Sequence, residues 1–403
     1  MHMTRHIAII GAGPIGLEAA LALQEAGHDV QVYERGDLAD AVRGWSHITL
    51  FSPWELNVSP LGLEALARQG LEPPPTGVFP TGAEYIERYL TPLANDDRLQ
   101  GRVHTRTEVA SVGRKGVLKG ELIASDARRE RPFRLLLRDA DGGERYAHAD
   151  VVIDSSGTYG NPNALGDAGL PALGEGAAAR AGRLLYTIPD PLGADRDTFA
   201  GRHTLVVGAG YSAVTTLRAL TDLAQEAAGT RVTWLTRSGE RPYTELPDDP
   251  LPQRDALARF GNQLASGQDD RVTYIGDSHV QALQVTDDAV RVTYEATDGE
   301  HHLDDVEVIV ANVGYRPNTD LYRELQVHQC YASEGPMKLA AALLSAAGGG
   351  GDCLQQTGMG PDTLRSPEPD FFILGSKSYG RGSAFLIKLG LEQIQDVLTL
   401  LEA

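Results

Sequence analysis

Apolar residues run uninterrupted in two short stretches, each followed by a glycine-rich turn and then by apolar positions at helical spacing. The run His6–Ile10 reads as a buried parallel strand and enters Gly11-Ala12-Gly13-Pro14-Ile15-Gly16. Leu17, Ala20, Leu21 and Leu23 then repeat at the spacing of one helix face, ending near Gly27. A second strand, Asp29–Tyr33, follows and stops at Glu34. The pattern recurs later. His203–Val207 leads into Gly208-Ala209-Gly210-Tyr211-Ser212-Ala213, a helical repeat follows through Val214, Leu217 and Leu220, and Arg231–Leu235 ends at Thr236-Arg237.

A strand, a glycine turn, a helix and a second strand are the context a dinucleotide fingerprint requires. Gly11 permits the tight turn, Gly13 lets the backbone approach a pyrophosphate, and Gly16 lets the helix pack on the strand. Pro14 and Ile15 complete the turn, and the helix start faces the phosphates. A carboxylate at Glu34 suits the two hydroxyls of an adenosine ribose and repels a 2′-phosphate, so the first crevice should hold FAD or NAD. Arg35 lies beside it. In the second turn Ala213 stands where the third glycine is expected, and its side chain is still small. No acid ends the second crevice. The guanidinium of Arg237 suits a 2′-phosphate, which points to NADPH. NADH or a degenerate second site is the alternative, and Arg241 is a less secure second cation.

Elsewhere, residues 133–137 and 145–148 read as a hairpin around 139–143, and residues 149–154 as a strand meeting Ser155-Ser156-Gly157. Residues 161–182, rich in Gly, Ala and Pro, read as linker and loop. Residues 272–275, 280–285 and 290–295 read as meander strands, and residues 306–310 as a strand running to Gly314. The Gly-rich stretch 345–361 reads as a flexible loop, residues 371–374 as a late strand before Gly375, and residues 385–401 as a final helix. The fold class expected is α/β, with two Rossmann-like dinucleotide-binding domains of three-layer ββα/βαβ character. The NADPH domain (176–325) is expected to be inserted into an FAD domain made of 1–175 and 326–403, with two sequential domains and a separate C-terminal piece as the alternative.

Composition narrows the partners. The 403 residues are 42% hydrophobic and 23% charged, an ordinary globular balance. The net charge of −19 argues against nucleic acid and anionic membrane surfaces. No stretch approaches the roughly 20 apolar residues of a membrane span. The expectation is a soluble chain in a reducing, cytoplasmic setting. Cys330 and Cys353 have no Cys-x-x-Cys spacing, and the His301-His302 pair lacks companions, so neither a redox disulfide nor a metal site is expected.

These motifs resemble the two-dinucleotide-domain flavoproteins, and within them the flavin-containing monooxygenase-like branch that includes Baeyer–Villiger and N-hydroxylating enzymes. The resemblance rests on Gly11–Gly16, Glu34, Gly208–Ala213 and residues 309–318, and spans nearly the whole chain. Arg43-Gly44-Trp45 resembles the Gly-Trp signature after the FAD acid. Asn57 falls where that family has an asparagine at the flavin edge, with an asparagine capping a loop as the alternative. The resemblance implies FAD reduced by NADPH, then N-, S- or Baeyer–Villiger oxygenation of a small molecule by molecular oxygen through a flavin C4a-peroxide. Asn57, Lys377 and Arg43 are the catalytic candidates. Gly157, Gly314, Gly375, Lys377 and Ser378 join the fingerprints, Arg43 and Trp45 as cofactor contacts. Lys377 would stabilise negative charge on reduced flavin, or its Gly-rich loop would bind FAD phosphates. A homodimer is left open. The sequence departs from the family in one respect: the Phe-x-Gly-x-x-x-His motif before the second fingerprint is missing. That keeps an NADPH-dependent flavoprotein reductase without oxygenation in view.

Overall fold

The computed structural model describes residues 3–239, 241–246, 249, 251–267, 269–347 and 358–402. Cys353, Asp248, Gln268 and much of the Gly-rich stretch 345–361 lie outside the described residues. The chain forms two compact units, residues 1–161 with 315–403, and residues 162–314.

In chain order the strands are β1 His6–Ile10, β2 Asp29–Tyr33, β3 Val103–His104, β4 Thr107–Arg114, β5 Phe133–Asp139, β6 Glu144–Ala149, β7 Val151–Asp154, β8 Leu184–Leu185, β9 His203–Val207, β10 Arg231–Leu235, β11 Val272–Ile275, β12 His279–Val285, β13 Val290–Ala296, β14 Gly299–Val306, β15 Val308–Ala311 and β16 Phe371–Ile373. The first unit holds a parallel sheet in the order β16-β7-β1-β2-β3. Its last-made strand therefore returns beside β7 after the whole second unit has been inserted.

Both faces of this sheet are covered, which is why its central strands β1 and β7 and the returning β16 are apolar runs, whereas β2 toward the edge alternates. Ile7, Ile9, Val30, Val32, Val151 and Ile153 pack against the helix Pro14–Glu25 and the last helix, Ile387–Glu402. Ala8, Ile10, Val152, Phe371 and Ile373 pack against Phe133, Leu135 and Leu137 of the antiparallel meander β4-β5-β6. Each such fully buried aliphatic side chain contributes about 1.5–3 kcal/mol.

The second unit repeats the plan with a parallel sheet β11-β10-β9-β15-β8 and an antiparallel meander β12-β13-β14. Here the structure corrects three readings. Val272–Ile275 is not a meander strand; it pairs in parallel with β10, Val232 opposite Val272. The meander is completed by β14, whose largely polar run Gly299–Val306 carries no apolar signal. Residues 161–182 are not all loop, because Glu175–Arg180 is helical. The buried Glu175 carboxylate organises that region by accepting from Leu165 N, Ala172 N and the Tyr186 hydroxyl. The start of the 345–361 stretch is likewise the end of a helix, Met337–Ala347.

Candidate functional site

In the first unit, β1 hands the chain to Gly11 at φ +101°, a conformation that favours glycine. A Cβ there would lie 2.9 Å from the Ser155 carbonyl oxygen and 3.0 Å from Ser156 Cα, so the turn is pressed against the loop leaving β7. A Cβ on Gly16 would run into the Gly11 carbonyl. A Cβ on Gly13 would stand in open space, a cradle that a ligand's pyrophosphate would fill. The helix begins at Pro14 with no side-chain cap, leaving its first N–H groups directed outward. Ile15 is turned inward against Gly375 and Gly390, so its part in the turn is packing.

Glu34 folds back over the turn. Its carboxylate accepts from Ala12 N and Gly36 N, both at 2.9 Å. The Arg35 guanidinium covers Gly160, where an added Cβ would be 2.9 Å away. Arg43 closes a four-residue helix, exposed, its Nε donating to Leu38 O at 2.8 Å. Trp45 backs onto Gly82, and its ring lies 6.4 Å from that of Tyr159. The Trp45 Nε1–H is buried and has no hydrogen-bond partner among the described residues. That orphaned donor fits an acceptor on a bound cofactor.

Three candidates are bonded within the protein. Asn57 is fully buried and closed within its own loop. Its Oδ1 accepts from Ser52 Oγ at 2.8 Å, its Nδ2 donates to Ser52 O and Pro53 O, and its carbonyl accepts from the Tyr85 hydroxyl. It caps a loop and presents no free amide edge. Ser378 is also buried, donating to Gly375 O at 2.7 Å and accepting from Gln393 Nε2 at 2.9 Å. Gln393 Oε1 also takes Gly375 N–H, so this pair ties the loop to the last helix. Lys377 is not directed at a phosphate: its Nζ lies 2.6 Å from Asp154 Oδ2. Gly157 and Gly375 have φ +67° and +72° where these two loops turn. A Cβ on Gly157 would be 3.6 Å from Ser376 Oγ.

The second unit builds a parallel site with different supports. Gly208 has φ +126°, and a Cβ there would run into the Asn312 carbonyl beyond β15. Gly210 again opens onto free space, and the helix Tyr211–Glu226 again lacks a side-chain cap. Ala213 is fully buried, its methyl absorbed in the packing. Ser212 supports the helix through its carbonyl, which accepts from Thr216 Oγ1. Gly314 (φ +83°) closes the unit, its carbonyl accepting from Asn163 N.

Trp234 Nε1 donates to Gly208 O at 2.8 Å, and the Tyr243 hydroxyl donates to Gly210 O at 3.0 Å. Tyr211 packs its ring 5.8 Å from Tyr243. Burial raises the Tyr243 phenol above its ordinary value, keeping it a donor. Asn262 clamps Tyr243 by accepting from its N–H and donating to its carbonyl. Sequence reasoning missed Trp234, Tyr243 and Asn262. An aromatic next to the end of β10 and another in the loop that follows are the available signals. Arg237 stands exposed just past β10, and no described residue pairs with it. Arg241 pairs with Glu245 at 3.1 Å.

Among the described residues there is no cluster of three or more His, Cys, Asp or Glu able to hold a metal, and no helix long and apolar enough to cross a membrane.

The family model described as pyridine nucleotide-disulphide oxidoreductase matches residues 8–126. A curated relative, the flavin-containing monooxygenase FMO GS-OX-like 2 of Arabidopsis thaliana, is 26% identical over 252 residues, covering 55% of this chain and 48% of that protein. The chain thus matches about half the length of that relative. Among solved structures, the bacillithiol disulfide reductase of Bacillus cereus aligns over 99% of both chains at 19% identity with a TM-score of 0.69. The ornithine hydroxylase of Pseudomonas aeruginosa aligns over 99% of both at 14% identity and 0.65. The ornithine N-hydroxylase of Kutzneria does so at 16% and 0.63. With its two glycine turns, two parallel sheets and inserted second unit, the chain has the two-domain FAD/NAD(P)-binding oxidoreductase fold that disulfide reductases and N-hydroxylating monooxygenases share.

Proposed function

We propose that the chain is an NADPH-dependent FAD monooxygenase acting on a small molecule at nitrogen, sulfur or a ketone carbon. One observation carries the cofactor assignment. The first crevice ends in a carboxylate already seated on its glycine turn, and the second ends in an exposed guanidinium with no described partner. FAD fits the first crevice, with Gly13 leaving room for the pyrophosphate, Glu34 offering its oxygens to a ribose and Trp45 holding an unused N–H. NADPH fits the second, with Gly210 open to the pyrophosphate and Arg237 placed for the 2′-phosphate.

FAD, when bound, supplies hydride acceptance from NADPH and the reaction with dioxygen. The overall exchange takes NADPH, a proton, dioxygen and substrate to NADP⁺, water and a product carrying one oxygen atom. This chain's own residues bind, orient and exclude water. Gly13 and Gly210 leave each pyrophosphate room against the backbone, on turns that Gly11, Gly16 and Gly208 keep tight. Glu34 and Arg237 select the ribose. Trp45, whose buried Nε1–H has no partner among the described residues, would donate one hydrogen bond to the bound FAD. Asn57 and Ser378 act through the loops they hold. The lack of any Cys-x-x-Cys spacing weighs against dithiol chemistry.

The absent Phe-x-Gly-x-x-x-His motif favours a second reading, a reductase that passes electrons to an acceptor without oxygenation. The two are separated by mixing the NADPH-reduced holoenzyme with isotopically labelled dioxygen and a panel of amines, sulfides and ketones. Label recovered in product supports oxygenation. Turnover that persists anaerobically with an added acceptor, with no label in any product, overturns it in favour of the reductase.

A further inference from the structure

At the carboxyl edge of the first sheet, β7 and β16 end side by side, Ile373 opposite Asp154. Asp154 closes β7, and Lys377 sits in the turn after β16. Their side chains are 0% and 1% exposed. Lys377 Nζ approaches Asp154 Oδ2 at 2.6 Å and donates to Ser156 Oγ at 3.0 Å. The other carboxylate oxygen accepts from Ser156 Oγ at 2.6 Å and Ser156 N at 3.1 Å. The ammonium also stands 5.2 Å from the centre of the Tyr322 ring, within cation–π range. The two bonds from Lys377 Nζ run between the loop that backs Gly11 and the loop whose Ser376 faces Gly157.

A pair buried this deeply is weak evidence of stabilisation, because apolar side chains of like volume tie two loops equally well. Its position is the informative feature. Open α/β sheets take their ligands outside the carboxyl ends of the strands, and there a charge acts through little solvent. We propose that Asp154 and Lys377 form a charge-compensated clamp that positions the two loops and keeps net charge from a flavin bound in the first crevice. The inference rests on FAD occupying that crevice. It makes both side chains positioning residues, since the Lys377 charge is already met by its carboxylate partner.

The test uses flavin-loaded full-length protein, with FAD content measured first and the flavin midpoint potential second. Asp154→Asn leaves an uncompensated ammonium and should favour reduced flavin. Lys377→Met leaves an uncompensated carboxylate and should favour oxidised flavin. Each should move the equilibrium at least tenfold, about 30 mV for a two-electron couple. The double variant should return to the wild-type potential. Flavin-loaded single variants that shift in the same direction, or not at all, overturn the proposal. If the single variants lose flavin, the double variant decides. Flavin regained at the wild-type potential supports the clamp, and flavin still lost overturns it. Wild-type protein that takes up no FAD defeats the crevice assignment itself, an outcome distinct from all of these.

Discussion

The two glycine turns share a backbone plan and differ in how they are held. In the first, support comes from backbone and a carboxylate: Gly11 rests on Ser155, Gly16 on Gly11, and Glu34 accepts from Ala12 N. In the second, Gly208 likewise presses on the Asn312 backbone, and aromatic side chains are added, Trp234 and Tyr243 donating to the carbonyls of Gly208 and Gly210. At the third position of the first turn there is no room for a methyl group, because a Cβ on Gly16 would meet the Gly11 carbonyl. At the third position of the second turn a methyl group is accommodated, that of Ala213, fully buried. The terminal charges differ in the same way. Glu34 is bonded into place before any ligand arrives, whereas Arg237 must give up side-chain freedom when it binds one.

The largest effect should come from moving one turn's residue into the other. Gly16→Ala should cost about 1–3 kcal/mol in stability by overpacking and strip the protein of flavin, read by thermal melting and by the absorbance of the purified protein. Removing the first carboxylate comes next. Glu34→Ala should weaken FAD binding by about 1.5–3 kcal/mol, roughly 10- to 150-fold, measured by titrating apoprotein with FAD. Arg237→Ala should lower the preference for NADPH over NADH by about tenfold, read as the ratio of kcat/KM values; FAD content should stay unchanged. The reverse exchange, Ala213→Gly, should cost less than about 1 kcal/mol and leave the nicotinamide preference intact.

The smallest effect concerns the helices behind the turns. Glu18, two residues after Gly16, is buried and bonded to Ser59 and Tyr89, while Thr215 holds the corresponding place after Ala213 and donates to Tyr211 O. Burial holds the Glu18 carboxyl above its ordinary value of 4.5, with the hydrogen bonds from Tyr89 and Ser59 opposing. A raised carboxyl contributes stability at low pH that is lost as pH climbs through the folded-state value. Glu18→Gln cannot ionise, so its melting temperature should fall less than that of the wild type as pH rises above 4.5. Parallel melting curves across that range would remove Glu18 from the comparison.

Much of this architecture is local and therefore legible. A buried strand, a turn needing positive φ and a helix on a strand are each written in consecutive residues. Gly11 through Gly16, Glu34 and Gly208 through Ala213 accordingly lie where their spacing puts them. Val272–Ile275 was misplaced because an apolar run of four states its burial without naming its neighbour; pairing with β10 was settled by the sheet. Asn57, Ser378 and Lys377 show the other limit. Each has the chemistry of a ligand-binding group, and each spends it inside the protein.

By itself the sequence determined the two nucleotide turns, the opposed charges that end them and the return of a late strand after an insertion. These follow from periodicity, backbone conformation and the sign of a side chain, all properties of neighbouring residues. Only the tertiary structure decided which polar groups remain available to a ligand. A buried donor or acceptor must find a partner, and for Lys377 that partner is 223 residues away.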